Sequence, residues 1–297
     1  MLDRDRCERV LRECFPEFQL LGVRYFASGW DYELWEVNGD LLFRLPLRPA
    51  CAAPLQIEAR LLPALADALS TPVPNPLYVS DGCAAFPLPF FGYRKLPGRP
   101  LNEVALGERD RASVARQLGR FLTELHRFPP ARAAALGVSV YSPEGWREEY
   151  RDFQERVRRD VLPLLPAGER AAFEAFWRRF LDDERHFRFQ PVLIHRDLDD
   201  AHILVDVERV HITGIIDFGD GCVGDPALDF AGCEGEFRRG LLAGYGLPVD
   251  DNLGQRADIY RHKISPFHAV LYGLEIGDPT WVRRGVEALR EEFAGAG

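Results

Sequence analysis

The chain has 297 residues, of which 46% are hydrophobic and 28% are charged, and its formal net charge is −9. The composition is typical of a globular protein, the length predicts two lobes or domains, and no run of about eighteen apolar residues is present, which excludes a membrane span. The charged start MLDRDRCERVLREC is unlike a signal peptide and the six cysteines include no CxxC pair, so we expect a cytoplasmic protein with reduced thiols.

The first 95 residues predict a small lobe that is rich in strands. Residues 2–15 have the spacing of an amphipathic helix. Runs of β-branched and aromatic residues, separated by turn residues, predict about five antiparallel strands. These runs are Tyr25-Phe26, Leu34–Val37, Leu41–Phe43 and two pieces within 77–93. Residues 54–69 have the pattern of a helix, which Pro63 is expected to kink or end.

Residues 96–297 predict a larger, mostly helical lobe. The segment KLPGRP at 95–100 is rich in residues that break regular structure, and we place the lobe boundary there. The predicted elements beyond it are helices over 108–128, 143–165 and 167–185, strands around 192–194, 202–206 and 211–217, and helices from there to the end. The predicted fold class is therefore α+β, with a short hairpin embedded in the helical lobe.

Acidic residues are concentrated between Arg196 and Glu236. This segment holds eleven acids and two arginines, so it alone carries a charge of −9. Such a segment repels phosphate backbones, and we therefore do not expect a nucleic-acid partner. It favours a divalent metal ion and a cationic small molecule. Some of these acids have an alternative role at helix starts, as the pair Asp225-Pro226 indicates.

Two strand-like runs inside the acidic segment, HILVD and HITGIID, are separated by a polar turn and predict a hairpin. If Asp206 lies opposite His211, residue 202 lies opposite about residue 215. The hairpin then returns Asp217 to the neighbourhood of His202. Asp197 precedes the first strand on the same side. Three titratable side chains are thus expected at one end of the hairpin.

This arrangement suits phosphoryl transfer, which requires a bridging metal ion and a carboxylate that orients the attacking hydroxyl. We assign Asp197 as the catalytic base and Asp217 as an oxygen ligand for Mg²⁺. His202 is either the second protein ligand or the holder of a metal-bound water. His195 is expected to hold the loop by hydrogen bonds.

The motif His195-Arg196-Asp197-Leu198 with a ligand-type residue at 202, followed by DFG at 217–219, resembles the catalytic loop and the metal-binding motif of kinases. The longer pattern IHRDLDDAHILVD, ITGIIDFGD and DPALDF resembles the aminoglycoside phosphotransferases, in particular their 2″ branch, which also has histidine at the position of His202. The stretches SGWDYELWEVNGDLLFRLP, GYRKLPG and LYGLEIGDPTW extend the likeness over nearly the whole chain. The resemblance implies a bilobal, protein-kinase-like fold and transfer of the γ-phosphoryl of ATP or GTP to a hydroxyl group of an aminoglycoside.

The resemblance also implies a set of nucleotide-binding residues. Arg44 stands where family members commonly have the lysine that holds the α and β phosphates, and Glu58 would pair with it. Ser28 and Gly29 would form the turn over the phosphates. The backbone of Arg94 and Leu96 would bind the purine edge. Arginine differs from lysine at such a site because its planar fork can bind phosphate in a bidentate manner.

The cationic substrate would meet acids of the larger lobe, and the candidates are Asp220, Glu234, Glu236 and Glu275. The alternative is that each of them lies on a solvated helix face. Only a few residues separate Gly219 from Asp225, which leaves little room for an activation segment and argues against a protein substrate. We expect the protein to be a monomer.

Three other interpretations remain open at this stage. A kinase of another small hydroxyl compound, such as a macrolide, would use the same motifs, although macrolide kinases tend to have tryptophan where this chain has Phe218. A metal-dependent hydrolase would need a third or fourth strong ligand. A pseudokinase would bind nucleotide without turnover. The remaining histidines have no predicted partner and are interpreted as structural, namely His126, His186, His211, His262 and His268.

Overall fold

The structure is a computed structural model that describes residues 2–293. The helices are α1 Arg4–Cys14, α2 Ala52–Ala68, α3 Glu108–His126, α4 Pro130–Ala135, α5 Pro143–Arg156, α6 Ala167–Asp182, α7 Gly235–Gly244, α8 Leu253–Asp258, α9 Ser265–Ile276 and α10 Pro279–Phe293. The strands are β1 Val23–Ser28, β2 Tyr32–Val37, β3 Leu41–Pro46, β4 Pro76–Ser80, β5 Phe90–Arg94, β6 Arg99–Pro100, β7 Val192–Ile194, β8 Ile203–Asp206, β9 His211–Ile215 and β10 Cys222–Gly224.

The N-terminal part is an antiparallel sheet of five strands in the order β1-β2-β3-β5-β4. Helix α1 buries Cys7, Val10 and Leu11 in an apolar cluster that also contains Trp35 and Phe43 of the sheet. Helix α2 packs against β4 and β5. The predicted α+β fold, with about five antiparallel strands and a helix in the small lobe, is confirmed.

Helix α2 continues through Pro63. Of the two predicted outcomes, a kink or an end at this residue, the end is wrong, since the helix runs on to Ala68. A proline removes one backbone hydrogen bond and its ring crowds the preceding turn. Here the proline is exposed, while its neighbours Leu62 and Leu65 are fully buried in the core. Burial of the apolar side chains therefore outweighs the lost hydrogen bond.

The segment that joins the sheet to the helices is held against the hairpin. Strand β6 within this segment pairs with β8, Arg99 opposite Val205, a pairing that the breaker-rich sequence did not predict. Gly98 adopts a φ of +105°, and a Cβ there would lie 2.2 Å from the hydroxyl oxygen of Thr213. Only glycine fits this combination of backbone conformation and close approach.

The predicted hairpin is formed by β8 and β9, with Asp206 opposite His211. A bulge between Leu204 and Val205 shifts the register by one residue, so that Ile203, not residue 202, lies opposite Ile215. Beside it, β7 pairs with β10. The residues of these short strands are mostly buried and apolar. The polar loops lie at the ends of the strands.

Helices complete the larger lobe around one continuous core. α3 packs against α7, and α9 packs against α10. Trp146 of α5 and Trp177 of α6 are fully buried within this core. Among the residues that the structure describes, no helix is long and apolar enough to cross a membrane.

Candidate active site

The structure brings Asp197, His202 and Asp217 together at the end of the β8–β9 hairpin, as the sequence predicted. The imidazole of His202 lies between the two carboxylates: Nδ1 is 3.7 Å from Oδ2 of Asp197, and Nε2 is 3.8 Å from Oδ2 of Asp217. The Nδ1–H group donates a hydrogen bond of 2.7 Å to the backbone carbonyl of Asp197. This bond fixes the ring so that Nε2 faces Asp217.

Asp217 supplies the carboxylate oxygen that a magnesium ion prefers, and His202 is a softer donor that can bind the ion or hold a water molecule bound to it. Mg²⁺ binds in an octahedron with bonds of about 2.0–2.1 Å, so neighbouring ligands lie about 3 Å apart, and it commonly takes only one or two protein ligands beside phosphates and water. The separation of 3.8 Å between His202 and Asp217 needs only a small adjustment to reach this spacing. Burial alone would lower the pKa of His202, but Asp217 and Asp197 raise it, so a metal ion here competes with a proton on Nε2.

Asp229 holds the loop that carries Asp197, a role that the sequence pattern did not predict. Its buried carboxylate accepts hydrogen bonds from the backbone N–H of His195 at 2.9 Å and from that of Arg196 at 2.8 Å. Arg196 has a φ of +70°, an unfavourable conformation for a residue with a side chain. The two hydrogen bonds stabilise this conformation and thereby orient Asp197. The signal in the sequence is the DPALDF motif, which was noted only as part of the family likeness.

Two histidines, His126 and His195, also help to hold the loop that carries Asp197. Nε2 of His126 lies 3.2 Å from the carboxylate of Asp229, and its Nδ1 lies 2.7 Å from the hydroxyl of Tyr245. His126 was predicted to have no identifiable partner, and the contacts come from α3 and the segment after α7, which are far apart in sequence. Nε2 of His195 hydrogen-bonds with the carbonyl of Ile216 at 2.9 Å, which agrees with its predicted loop-holding role.

We expect Asp229→Asn to lower both stability and kcat. The amide can accept a hydrogen bond with only one of its two atoms, so at least one buried N–H of the loop loses its partner, at a cost of about 1–3 kcal/mol. Urea denaturation and steady-state turnover measure the two effects. Asp206→Asn in the hairpin turn is the matched control, because that carboxylate accepts from two amides of the turn and pairs with the exposed side chain of Arg209 at 3.8 Å, away from the catalytic loop. Equal behaviour of the two variants would contradict this role of Asp229.

Arg44 and Glu58 form a buried pair behind Asp217. Nη2 of Arg44 donates to Oδ1 of Asp217, and its Nε lies 3.5 Å from Oε2 of Glu58. Glu58 also accepts a hydrogen bond of 3.2 Å from the backbone N–H of Phe218. Burial would raise the pKa of Asp217, but Arg44 and His202 hold it below its usual value. Asp217 is therefore charged and oriented by protein groups alone.

The pKa of Glu58 is shifted in the opposite direction to that of Asp217. Burial raises its pKa to about 7, and Arg44 opposes this shift. Nε of Arg44 and Oε2 of Glu58 make no hydrogen bond in the protein. Buried polar groups usually have partners, so Arg44 keeps one unused donor, its Nε–H, next to Asp217. A guanidinium donor is the group expected to contact an oxygen of a bound phosphate, whereas the Glu58 carboxylate can only accept hydrogen bonds and would serve to orient Arg44.

Asp197 and Asp220 are two further carboxylates whose charges act on the Asp217 region. The side chain of Asp197 is 56% exposed. Partial loss of solvent nevertheless raises its pKa to about 7, with His202 opposing the rise and Asp220 and Asp217 adding to it. Loss of solvent, together with Asp217, also raises the pKa of Asp220, while Arg196 lowers it. Carboxylates that repel one another in this way favour a bound cation.

The predicted nucleotide-binding residues lie at or just beyond the ends of strands. Ser28 ends β1, and the N–H of Gly29 closes the following turn by a hydrogen bond of 2.9 Å to the carbonyl of Tyr32. Arg94 ends β5 and directs its side chain to Asp40 at 2.9 Å, so its backbone remains the part available to a ligand. Leu96 lies over Gly214 of the hairpin.

Three of the four predicted substrate acids are already paired with basic residues. Glu234 lies 2.6 Å from Nε2 of His262, and Glu275 accepts from Arg48 at 3.1 Å. Glu236 is paired with Arg239 one turn along α7. His262, which was predicted to have no identifiable partner, contacts Glu234 and also Glu292, at 2.9 Å. Asp220 alone among the four is influenced by the charges of the Asp217 region.

The fold consists of a five-stranded sheet joined to a helical lobe. Its hairpin region holds an aspartate suited to act as a base and a neighbouring histidine–aspartate pair. Together these features define a phosphotransferase of the protein-kinase-like fold. Residues 22–258 match the family described as Phosphotransferase enzyme family, APH. The chain belongs to this family. Membership excludes the metal-dependent hydrolase that the sequence alone left open.

The structure is similar to solved structures over nearly its whole length. The GDP and kanamycin complex of APH(2″)-IIIa has a TM-score of 0.86 and 29% identity, with 97% of this chain and 98% of that chain covered. Macrolide 2′-phosphotransferase MphH from Brachybacterium faecium has a TM-score of 0.75 and 26% identity, with 96% and 97% covered. The bilobal kinase-like fold is thereby confirmed.

Two curated relatives are also similar in sequence. Viomycin phosphotransferase of Streptomyces vinaceus is 27% identical over 261 residues, which cover 82% of this chain and 87% of that protein. The uncharacterized protein YcbJ of Bacillus subtilis (strain 168) is 32% identical over 115 residues, and this match spans 39% of the chain and only about a third, 35%, of that relative.

Proposed function

We propose that the protein transfers the γ-phosphoryl group of GTP or ATP to a hydroxyl group of an aminoglycoside. The observation that carries the proposal is the convergence of Asp197, His202 and Asp217 at the end of the β8–β9 hairpin. The APH(2″)-IIIa structure contains GDP and kanamycin, which supports GTP as the donor and an aminoglycoside as the acceptor.

Asp197 is proposed as the base that orients the acceptor hydroxyl and takes its proton as the oxygen attacks the γ-phosphorus. Asp217 and His202 would hold Mg²⁺, which supplies positive charge to the transferring phosphates when it is bound. Arg44, oriented by Glu58, would bind phosphate oxygens with its planar fork. Because Arg44 now donates to Asp217, metal binding would release that donor toward the nucleotide.

The remaining predicted residues are proposed to complete the two binding sites. Residues 1–95 would form the nucleotide lobe, with the turn at Ser28 and Gly29 over the phosphates and the backbone of Arg94 and Leu96 at the purine. Residues 96–297 would form the catalytic and substrate lobe. The proposed contacts to the ammonium groups of the acceptor are Asp220, Glu234, Glu236 and Glu275. The last three would have to exchange their present basic partners for the substrate.

An aminoglycoside is preferred over a macrolide because of charge. An aminoglycoside carries several ammonium groups, which suit the repelling carboxylates Asp197 and Asp220. The macrolide 2′-phosphotransferase is also less similar in structure than APH(2″)-IIIa, with TM-scores of 0.75 and 0.86 respectively. We further propose that the protein acts as a monomer in the cytoplasm and that it does not bind nucleic acid.

A coupled nucleotide-turnover assay with Mg²⁺ tests the proposal. GTP and ATP are each combined with kanamycin, other 4,6-disubstituted aminoglycosides, viomycin and macrolides. We expect turnover to be stimulated by an aminoglycoside and removed by chelation of the metal. Stimulation by a macrolide alone would assign the runner-up substrate. Nucleotide binding without stimulated turnover by any compound would contradict the proposed acceptor class.

A further inference from the structure

The turn between β1 and β2 makes a contact with α9 and α10 that the proposed chemistry does not use. Trp30 lies at the tip of this turn and is 46% exposed. Its ring nevertheless stacks flat on the ring of Tyr272 in α9, with centroids 3.7 Å apart and planes 12° apart. Trp281 of α10 packs its edge against both rings, at centroid distances of 5.2 Å and 5.7 Å. Three aromatic rings from three separate elements thus meet at one point.

An ion pair reinforces the same contact. Arg48, two residues after β3, donates to the carbonyl of Trp30 at 3.1 Å and to the carboxylate of Asp31 at 2.7 Å. The same guanidinium donates to Glu275 of α9 at 3.1 Å. The tip of the turn is therefore linked to α9 by both a ring stack and a bridging arginine.

The turn is open on the side of Gly29, since a Cβ on this residue would meet no atom within 4 Å. Asp31, next to Trp30, adds to the repulsion that raises the pKa of Asp220, so the charge of the turn acts on the proposed substrate site. The aromatic contact and the Arg48 bridge thus restrain a turn that belongs to the proposed phosphate site and influences the acceptor site.

We propose that Trp30, Tyr272 and Trp281 form an inter-lobe clasp that holds the β1–β2 turn closed and slows release of the nucleotide. The inference rests on the proposed function only in placing a nucleotide beneath this turn. Stacked aromatic pairs resist separation because their faces are both apolar and electrostatically matched. The turn must move away from α9 for bound phosphates to leave, so the clasp must open first.

Release of mant-labelled GDP or ADP with Mg²⁺, followed by stopped-flow fluorescence, tests the clasp without any acceptor. We expect Trp30→Ala and Tyr272→Ala each to speed release about tenfold, the effect of losing one well-packed aromatic pair. The double variant should release nucleotide no faster than Trp30→Ala, because Trp30→Ala already removes the contacts of the turn with both Tyr272 and Trp281. Trp30→Phe, which keeps a ring for stacking, should restore slow release.

Tyr25→Ala is the matched control, since Tyr25 is a similarly exposed aromatic residue of β1 that packs on Trp35 instead. It should leave release unchanged. Unchanged release in Trp30→Ala, or single effects that multiply in the double variant, would overturn the clasp. Failure of the wild-type protein to bind either labelled nucleotide would instead overturn the proposed function together with the clasp. Trp30 lies on an exposed turn, so its variants stay informative even if Tyr272→Ala does not fold.

Discussion

Asp197→Asn is expected to lower kcat by about 10²–10⁴-fold, the usual contribution of a positioned general base. The amide can still accept a hydrogen bond from a hydroxyl group but cannot take its proton. Asp197 does not contact Arg44 or the β1–β2 turn in the set of hydrogen bonds that the structure describes, so nucleotide affinity should change little. Steady-state kinetics and equilibrium binding of GDP measure the two quantities.

The matched control for this variant is Asp200→Asn. Asp200 lies in the same loop but pairs with Arg111 at 3.0 Å. It should retain near wild-type kcat, and both variants should unfold at the wild-type temperature. A kcat for Asp197→Asn within about tenfold of the wild-type value, below the lower limit of general-base catalysis, would rule out its role as the base. A similar loss in both variants would indicate disturbance of the loop.

Arg256→Met is expected to lower the free energy of unfolding by about 3–5 kcal/mol, the cost of leaving a buried carboxylate without its partner. The side chains of Arg256 and Asp225 are both 0% exposed. Arg256 donates to both oxygens of Asp225, at 2.7 Å and 3.0 Å, and to both oxygens of Asp250, at 2.7 Å and 2.9 Å. Asp225 is thus shielded from bulk solvent in the folded protein.

The network extends from Asp225 to the core of the larger lobe. The hydroxyl of Tyr260 donates to Asp225 at 2.7 Å and accepts from the indole N–H of Trp146 at 3.0 Å. Adding Asp225→Asn to Arg256→Met should recover part of the lost stability, because it removes the unpaired charge. Urea denaturation measures each variant.

Arg261→Met provides the control, since it makes the same change at an exposed position close to Arg256 in sequence. Surface substitutions of this kind usually change stability by less than about 0.5 kcal/mol. An equal effect of the two methionine variants, or a double variant less stable than Arg256→Met, would contradict a buried ion pair as the source of the loss.

Much of the site follows from short-range pattern. The motif around Asp197, the polar turn that brings Asp206 opposite His211, and the return of Asp217 to His202 all depend on neighbours in one hairpin. A strand pair has a fixed register and alternating faces, so local sequence is sufficient to place these side chains. The five strands of the small lobe followed from the same kind of pattern.

Contacts between residues far apart in the sequence could not be predicted from local pattern. The role of Asp229 requires α3, the catalytic loop and the segment after α7 to meet, and the partner of Trp30 lies more than 240 residues away in α9. The one-residue shift at Leu204 is another example, because a bulge depends on how the hairpin fits its surroundings. The continuation of α2 through Pro63 depends on burial of neighbouring residues, which local propensity does not contain.

The sequence by itself thus determined the α+β fold, the phosphotransferase family and the residues that meet at the hairpin, because each depends on motifs in which spacing dictates geometry. Only the tertiary structure decided which of the predicted substrate acids pair with basic residues, as Glu234 does with His262 and Glu275 with Arg48. It also decided how the two lobes touch at Trp30. Packing between elements distant in sequence sets both, since the free energy of such contacts depends on what the folded chain places beside each side chain.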